Sequence, residues 1–123
     1  MVTRVLAAVD DLFFGAKIME TAERLKVPLA LVRSPEELTE KLRAGHPALV
    51  IFDLNAQACR PLEEIRRLKS DPDLRGIFTL GFFSHVQHDL KVAAEGAGCD
   101  RIMPRSVFST QLPEILRPYA SSA

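Results

Sequence analysis

The chain has 123 residues, which suits one compact domain, and its 16 Lys and Arg residues balance its 16 Asp and Glu residues. A net charge of zero argues against nucleic-acid binding driven by a global positive field and against a polybasic membrane anchor. The 47% hydrophobic content is too high for a disordered chain, and no apolar run reaches the roughly 18 residues of a membrane span. The first apolar run is followed at once by two acids, which indicates a buried strand and not a signal peptide. We therefore expect a soluble, cytoplasmic protein.

Short apolar runs alternate with longer amphipathic segments along the chain. The apolar runs predict five strands, at residues 5–9, 28–32, 48–52, 77–83 and 100–103. Apolar residues at helical spacing predict helices at residues 12–26, 34–45 and 86–97, a helix that begins at Pro61 and is broken by Asp71-Pro72, and a final helix marked by Leu112, Ile115 and Leu116. This alternation is typical of an α/β domain in which a five-stranded parallel sheet is covered by helices on both faces.

Helix-start signals occur at two places. Ser34 and Glu37 have the spacing of a capping box, and Gly45 is suited to the end of that helix. The segment 84–87 has a similar pattern, so Ser84 is a candidate helix cap.

Polar side chains follow four of the predicted strands. Asp10 and Asp11 come after the first strand, Asp53 ends the third, Ser84 follows the fourth and Arg105 follows the fifth. In a parallel sheet these residues share one edge, which is where ligands bind in such folds. Three carboxylates brought together repel one another unless a cation intervenes, and oxygen ligands of this kind suit Mg²⁺. A hydroxyl and a cation beside them could hold the oxygens of a transferred phosphoryl group.

With these residues, the chain resembles the receiver domain of two-component response regulators. The residues that carry the resemblance are Val9-Asp10-Asp11, the segment 50–53 that ends in Asp53, Ser84, and the segment 94–100 before the fifth strand. The resemblance covers essentially the whole chain. It implies the doubly wound CheY-like fold with strand order 2-1-3-4-5, and a single receiver-like domain over residues 1–123 with no output domain.

The resemblance also implies roles for individual residues. Asp10 and Asp11 would bind Mg²⁺ together with Asp53 and the backbone carbonyl of Asn55. Asp53 would accept the phosphoryl group by nucleophilic attack on phosphorus. Ser84 would be the switch hydroxyl, and Arg105 would stand in place of the family's Lys. The implied protein is a signalling module of a phosphorelay and not an enzyme, with a sensor histidine kinase or phosphotransfer protein upstream, an unknown protein downstream and a possible homodimer.

Three features depart from the family pattern. Arg105 and Ser106 stand where the family has Lys and usually Pro, and a planar guanidinium is not equivalent to an ammonium. The loop after Asp53 has no Gly. The bulky segment 12–14 follows the acids directly and could crowd the mouth of the site.

These departures leave a second function open, in which a degenerate pseudo-receiver acts as a phosphorylation-independent interaction module. A third possibility is a flavodoxin-like electron carrier or an enzyme on the same architecture. It is disfavoured because the first strand is followed by the segment 10–14 and not by a Gly-rich or Ser-rich phosphate loop.

Several residues have a structural explanation beside the functional one. Asp10 and Asp11 could stabilise a helix N-terminus, Asp53 could cap a loop, and Arg105 could be an ordinary surface residue. His85, His88 and Asp89 share a helix face, but no third convergent ligand is evident, so a solvated face is favoured over a zinc site. We also expect His46 in a loop, Cys59 as a loop thiol, Cys99 as a packing residue, Phe78, Phe82 and Phe83 in the core, and an apolar docking patch at Val107 and Phe108.

Overall fold

A computed structural model describes residues 3–84 and 88–121 of the chain. Its five parallel strands form one sheet with the order β2-β1-β3-β4-β5, as predicted. The strands are β1 Val5–Ala8, β2 Leu29–Val32, β3 Leu49–Asp53, β4 Phe78–Phe83 and β5 Arg101–Pro104. The helices are α1 Leu12–Arg24, α2 Pro35–Ala44, α3 Pro61–Ser70, α4 His88–Ala97 and α5 Arg105–Leu116, with 3₁₀ turns at Gln57–Cys59 and Arg117–Tyr119.

Helices cover both faces of the sheet, because the side chains of its central strands alternate between two apolar clusters. Leu6 and Ala8 of β1 pack into the cluster that contains the inner faces of α2, α3 and α4. Val5 and Ala7 of the same strand pack into the cluster that contains the inner faces of α1 and α5. Both faces of the sheet are therefore buried, which explains why its strands read as continuous apolar runs.

The predicted element boundaries shift by one or two residues. The first helix ends at Arg24 and not at residue 26, since Lys26 has a positive φ of 61° and cannot continue an α-helix. In α2 the Ser34 hydroxyl accepts the Glu37 N–H as predicted, but the Glu37 carboxylate accepts the N–H of Arg33 and not that of Ser34. The capping box is therefore only half formed. The predicted cap at 84–87 lies outside the described residues apart from Ser84.

Two predictions are wrong at individual aromatic residues, one about the core and one about the docking patch. Phe78 is 42% exposed because it begins the strand β4 at the rim of the sheet, whereas Phe82 and Phe83 are buried as predicted. Phe108 is fully buried on the inner face of α5, so of the predicted docking pair only Val107 is exposed. No helix in the described ranges is long and apolar enough to cross a membrane.

Candidate functional site

Asp53 is the last residue of the central strand β3, next to the end of its neighbour β1. Asp53 is only 4% exposed. Its Oδ1 accepts a hydrogen bond from the Asn55 N–H at 2.9 Å. Burial raises the pKa of Asp53, and the charges of Asp10 and Asp11 raise it further. The Asn55 hydrogen bond and the positive charge of Arg105 act in the opposite direction. The carboxylates predicted to share this edge therefore do influence one another.

Asp11 is the N-cap of α1. Its Oδ1 accepts the N–H groups of Phe13 at 2.9 Å and of Phe14 at 3.1 Å, and its Oδ2 accepts from Arg105 Nη2 at 3.3 Å. The hydrogen bond from Phe14 is the main cause that lowers the pKa of Asp11. The helix-terminal explanation is thus confirmed for Asp11, and both of its oxygens have partners within the chain. Asp10 beside it is exposed.

Arg105 is the first residue of α5, and the structure places it against the acids. Beyond its contact with Asp11, its guanidinium carbon lies 4.0 Å from the centroid of the Phe14 ring. Phe14 is buried, and its ring lies 5.2 Å from that of Phe82 and 5.9 Å from that of Phe108. The guanidinium therefore rests on a buried aromatic cluster and is not an ordinary surface group.

The bulky segment after the acids does not close the site. Phe13 is 91% exposed and Leu12 is 68% exposed, so neither side chain is packed over Asp53. Only Phe14 is buried, and its ring supports Arg105.

Ser84 and Asn55 are joined by a contact that sequence reasoning missed. The Asn55 side-chain Oδ1 accepts the Ser84 N–H at 2.7 Å, while the Asn55 N–H donates to Asp53. Asn55 was predicted only as a source of a backbone carbonyl. An Asn two positions after a strand-terminal Asp is the one sequence signal that could have suggested a bridging amide.

The donor set has the chemistry of a magnesium site, because Asp10, Asp11, Asp53 and the carbonyl of Asn55 offer only oxygen ligands. Burial is the main cause that raises the pKa of Asp53, and a divalent cation would relieve the further contribution from the charges of Asp10 and Asp11. Within the described residues, however, no group of three or more His, Cys, Asp and Glu side chains is arranged to hold a metal ion. The residues fit Mg²⁺ in kind, and the ligand set stays a prediction.

A groove lies beside this site between the β3–α3 loop and α4. Its volume is about 680 Å³, and its lining includes Asn55, Gln57, His88 and Asp89. His85, which was expected to share a helix face with His88 and Asp89, lies outside the described residues.

The two cysteines are poor nucleophiles. Burial raises the pKa of the Cys59 thiol to about 11, and burial also raises that of Cys99. Cys59 is buried in the 3₁₀ turn after Asp53, and Cys99 is half-buried before β5. Both thiols are protonated at neutral pH, which disfavours a redox role.

No protein-family model matches the sequence, and no curated protein does so. Solved structures match between 90% and 100% of its length. The phosphorylated cyanobacterial phytochrome response regulator RcpA has a TM-score of 0.78 at 21% identity, covering 100% of this chain and 97% of its own. A response regulator from Hahella chejuensis has a TM-score of 0.82 at 16% identity, covering 98% and 96%. The Mn²⁺-bound form of response regulator Rcp1 has a TM-score of 0.79 at 15% identity, covering 97% and 95%. This chain has the CheY-like fold of response-regulator receiver domains.

Proposed function

We propose that the chain is a receiver module of two-component signalling and that Asp53 accepts a phosphoryl group. The observation that carries this proposal is the environment of Asp53. A nearly buried carboxylate ends the strand β3, with a backbone N–H on one oxygen and an arginine charge within electrostatic range. Burial of an ionised carboxylate costs free energy, and carboxylates with pKa values raised in this way are common at functional sites.

The proposed step is a direct transfer from a phosphohistidine of a sensor kinase or phosphotransfer protein. A carboxylate oxygen of Asp53 forms a bond to phosphorus as the phosphorus–nitrogen bond of the donor breaks. The electron pair leaves with the imidazole nitrogen, which takes a proton from solvent, and an acyl phosphate remains on Asp53. The nucleophile must be ionised, and the Arg105 charge favours the ionised form.

Other residues of the site would assist this transfer. Mg²⁺, when held by Asp10, Asp11, Asp53 and the Asn55 carbonyl, would neutralise charge on the phosphoryl oxygens. The Ser84 hydroxyl would donate a hydrogen bond to one of those oxygens. Because Asn55 joins Asp53 to the Ser84 backbone, a change at Asp53 has a direct route to the end of β4. The signal would then leave through contacts with another protein.

The test is phosphorylation of the purified chain by acetyl phosphate in the presence of Mg²⁺, followed by intact mass measurement. We expect one phosphoryl adduct on the native protein and none on Asp53→Asn. Asp73→Asn, which changes an exposed loop carboxylate, is the matched control and should still form the adduct. An adduct that persists in Asp53→Asn, or its absence from the native protein, contradicts the proposal.

One observation favours the pseudo-receiver as a second candidate. Both oxygens of Asp11 already have partners, and one of those partners is the cation Arg105. A module of this kind would bind a partner, or a second copy of itself, without phosphorylation. Asp53→Ala should then leave the sedimentation behaviour of the protein unchanged, whether or not acetyl phosphate is present.

A further inference from the structure

Arg105 is held at Asp11 by two contacts that act together. Its Nη2 donates to Asp11 Oδ2 at 3.3 Å, and its guanidinium carbon lies 4.0 Å from the centroid of the Phe14 ring. The planar guanidinium can make both contacts at once, whereas an ammonium would lose the stacking. Phe14 is fixed in turn by the aromatic rings of Phe82 and Phe108. The position of the arginine is therefore built into the packing between α1, α5 and the sheet.

Asp11 has no oxygen without a partner in this arrangement. Oδ1 accepts the N–H groups of Phe13 and Phe14, which begin α1, so it cannot leave without uncapping the helix. Oδ2 is the oxygen that faces Arg105. A divalent cation bound to Oδ2 would lie beside the guanidinium, and the repulsion between the two positive charges would make them compete for this oxygen.

We propose that Arg105 is an internal competitor of the divalent cation for Asp11, positioned for that role by Phe14. The inference rests on the proposed function only for its metal site and does not depend on phosphoryl transfer. In this view one of the three carboxylates at the acidic edge, Asp11, is paired with Arg105 in the resting protein. Metal binding and release of the guanidinium from Asp11 are then one coupled event.

The contact between Arg105 and Asp11 is strong enough to compete with a divalent cation and weak enough for the cation to replace it. The Arg105 and Asp11 side chains are 35% and 38% exposed, so water screens the ion pair and can enter the contact. A screened ion pair combined with a cation–π contact should weaken metal binding about tenfold. The same exposure allows the guanidinium to move aside without unfolding of α5.

The experiment is a titration of the full chain with Mn²⁺, in which free Mn²⁺ is measured by electron paramagnetic resonance and no phosphodonor is present. We expect Arg105→Ala to bind Mn²⁺ about ten times more tightly than the native protein. Phe14→Leu retains the charge but removes the aromatic support, so it should give a smaller gain. Thermal unfolding of each variant verifies that it is folded.

The matched control is Arg101→Ala. Arg101 lies on β5, and its guanidinium contacts Gln111 and not an acid, so its removal changes the net charge of the protein equally. Competition predicts a gain in Arg105→Ala that Arg101→Ala lacks. Equal affinities in the two variants would overturn the inference, and so would a failure of every variant to bind Mn²⁺. Tighter Mn²⁺ binding by Arg105→Ala, together with no acetyl phosphate adduct on the native protein, would instead overturn the proposed function and leave this inference standing.

Discussion

The side-chain oxygen of Asn55 accepts a hydrogen bond from the backbone N–H of Ser84 at 2.7 Å. The contact joins the loop after β3 to the end of β4, and the Asn55 N–H extends it to Asp53 at 2.9 Å. The proposed acceptor and the proposed switch residue are thus connected through one amide side chain.

Removal of that amide should loosen the end of β4. Asn55→Ala is expected to lower the free energy of unfolding by about 1 kcal/mol, the usual net worth of one hydrogen bond. The Ser84 amide should also exchange its hydrogen faster, because its acceptor is gone. Urea denaturation and amide hydrogen exchange measure the two effects. Gln57→Ala, an exposed change in the same loop, is the control, and an equal loss of stability in both variants would contradict the assignment.

Gly81 in the middle of β4 lies close to the side chain of Leu54, which leaves little room for a larger residue. A Cβ at this position would lie 3.1 Å from both Leu54 methyl carbons, and Leu54 is buried. We expect Gly81→Val to destabilise the fold by about 1–3 kcal/mol, as overpacking usually does. Leu54→Ala in the same chain should recover part of that loss, so that the double variant is more stable than additivity predicts. Strict additivity in denaturation would show that the two sites do not touch.

Arg60 occupies the left-handed region with φ 47° and ψ 57°, immediately before α3. This is the loop in which the sequence lacks a glycine. A non-glycine residue pays a steric cost there, so Arg60→Gly should stabilise the protein by up to about 1 kcal/mol, after the greater flexibility of glycine in the unfolded chain is subtracted. Arg60→Ala keeps the Cβ and should give no such gain. Urea denaturation measures the stability of both variants. If Arg60→Gly is no more stable than Arg60→Ala, the backbone at Arg60 is not strained.

Asp100 should contribute stability that depends on pH. Burial opposes the shift, but hydrogen bonds from Lys69 at 2.6 Å and from the N–H and hydroxyl of Thr79 at 2.8 and 3.0 Å outweigh it and lower the pKa of Asp100. A lowered pKa means that the ionised carboxylate stabilises the fold at neutral pH. That contribution is lost as the pH falls from the ordinary value of 3.8 through the folded-state pKa.

The measurement is the difference in unfolding free energy between the native protein and Asp100→Asn across acidic pH. We expect the variant to be less stable at neutral pH and the difference to shrink as the pH falls below about 4. A difference that is independent of pH would mean that the charge of Asp100 contributes nothing.

The charge of Asp53 should affect the pH dependence of stability in the opposite direction to that of Asp100. Burial raises its folded-state pKa, so ionisation disfavours the fold, and the stability of the protein falls as the pH rises through that pKa. Asp53→Asn keeps an acceptor for the Asn55 N–H and removes the charge. In a metal chelator at neutral pH this variant should therefore be more stable than the native protein, and the advantage should vanish in acid. A less stable variant at neutral pH would contradict the stated cause of the shift.

The sequence was sufficient to predict the fold and the position of Arg105 beside the acidic residues. Apolar runs alternating with helical spacing predicted a parallel α/β sheet, and the resemblance to receiver domains supplied the strand order. Parallel strands place their carboxyl ends at one edge. Sequence position alone could not decide whether Asp11 caps a helix or binds metal, since both uses need a carboxylate directly after a strand. In the structure it caps α1 and pairs with Arg105.

The remaining errors arise from packing that periodicity does not encode. Phe108 follows Val107 directly, yet the helix α5 turns one ring into the core and leaves the other side chain 37% exposed. The support of Arg105 by Phe14 joins the start of α1 to the start of α5. No local pattern links residues so far apart in sequence.

The most direct test of the proposed function uses beryllofluoride, which mimics a phosphoryl group on an aspartate, with Mg²⁺ and an amide NMR spectrum of the labelled protein. The proposal predicts that the resonances of Asn55 and Ser84 shift in the native protein and stay in place in Asp53→Asn. An unchanged spectrum of the native protein, or equal shifts in both proteins, would contradict the assignment of Asp53 as the phosphoacceptor.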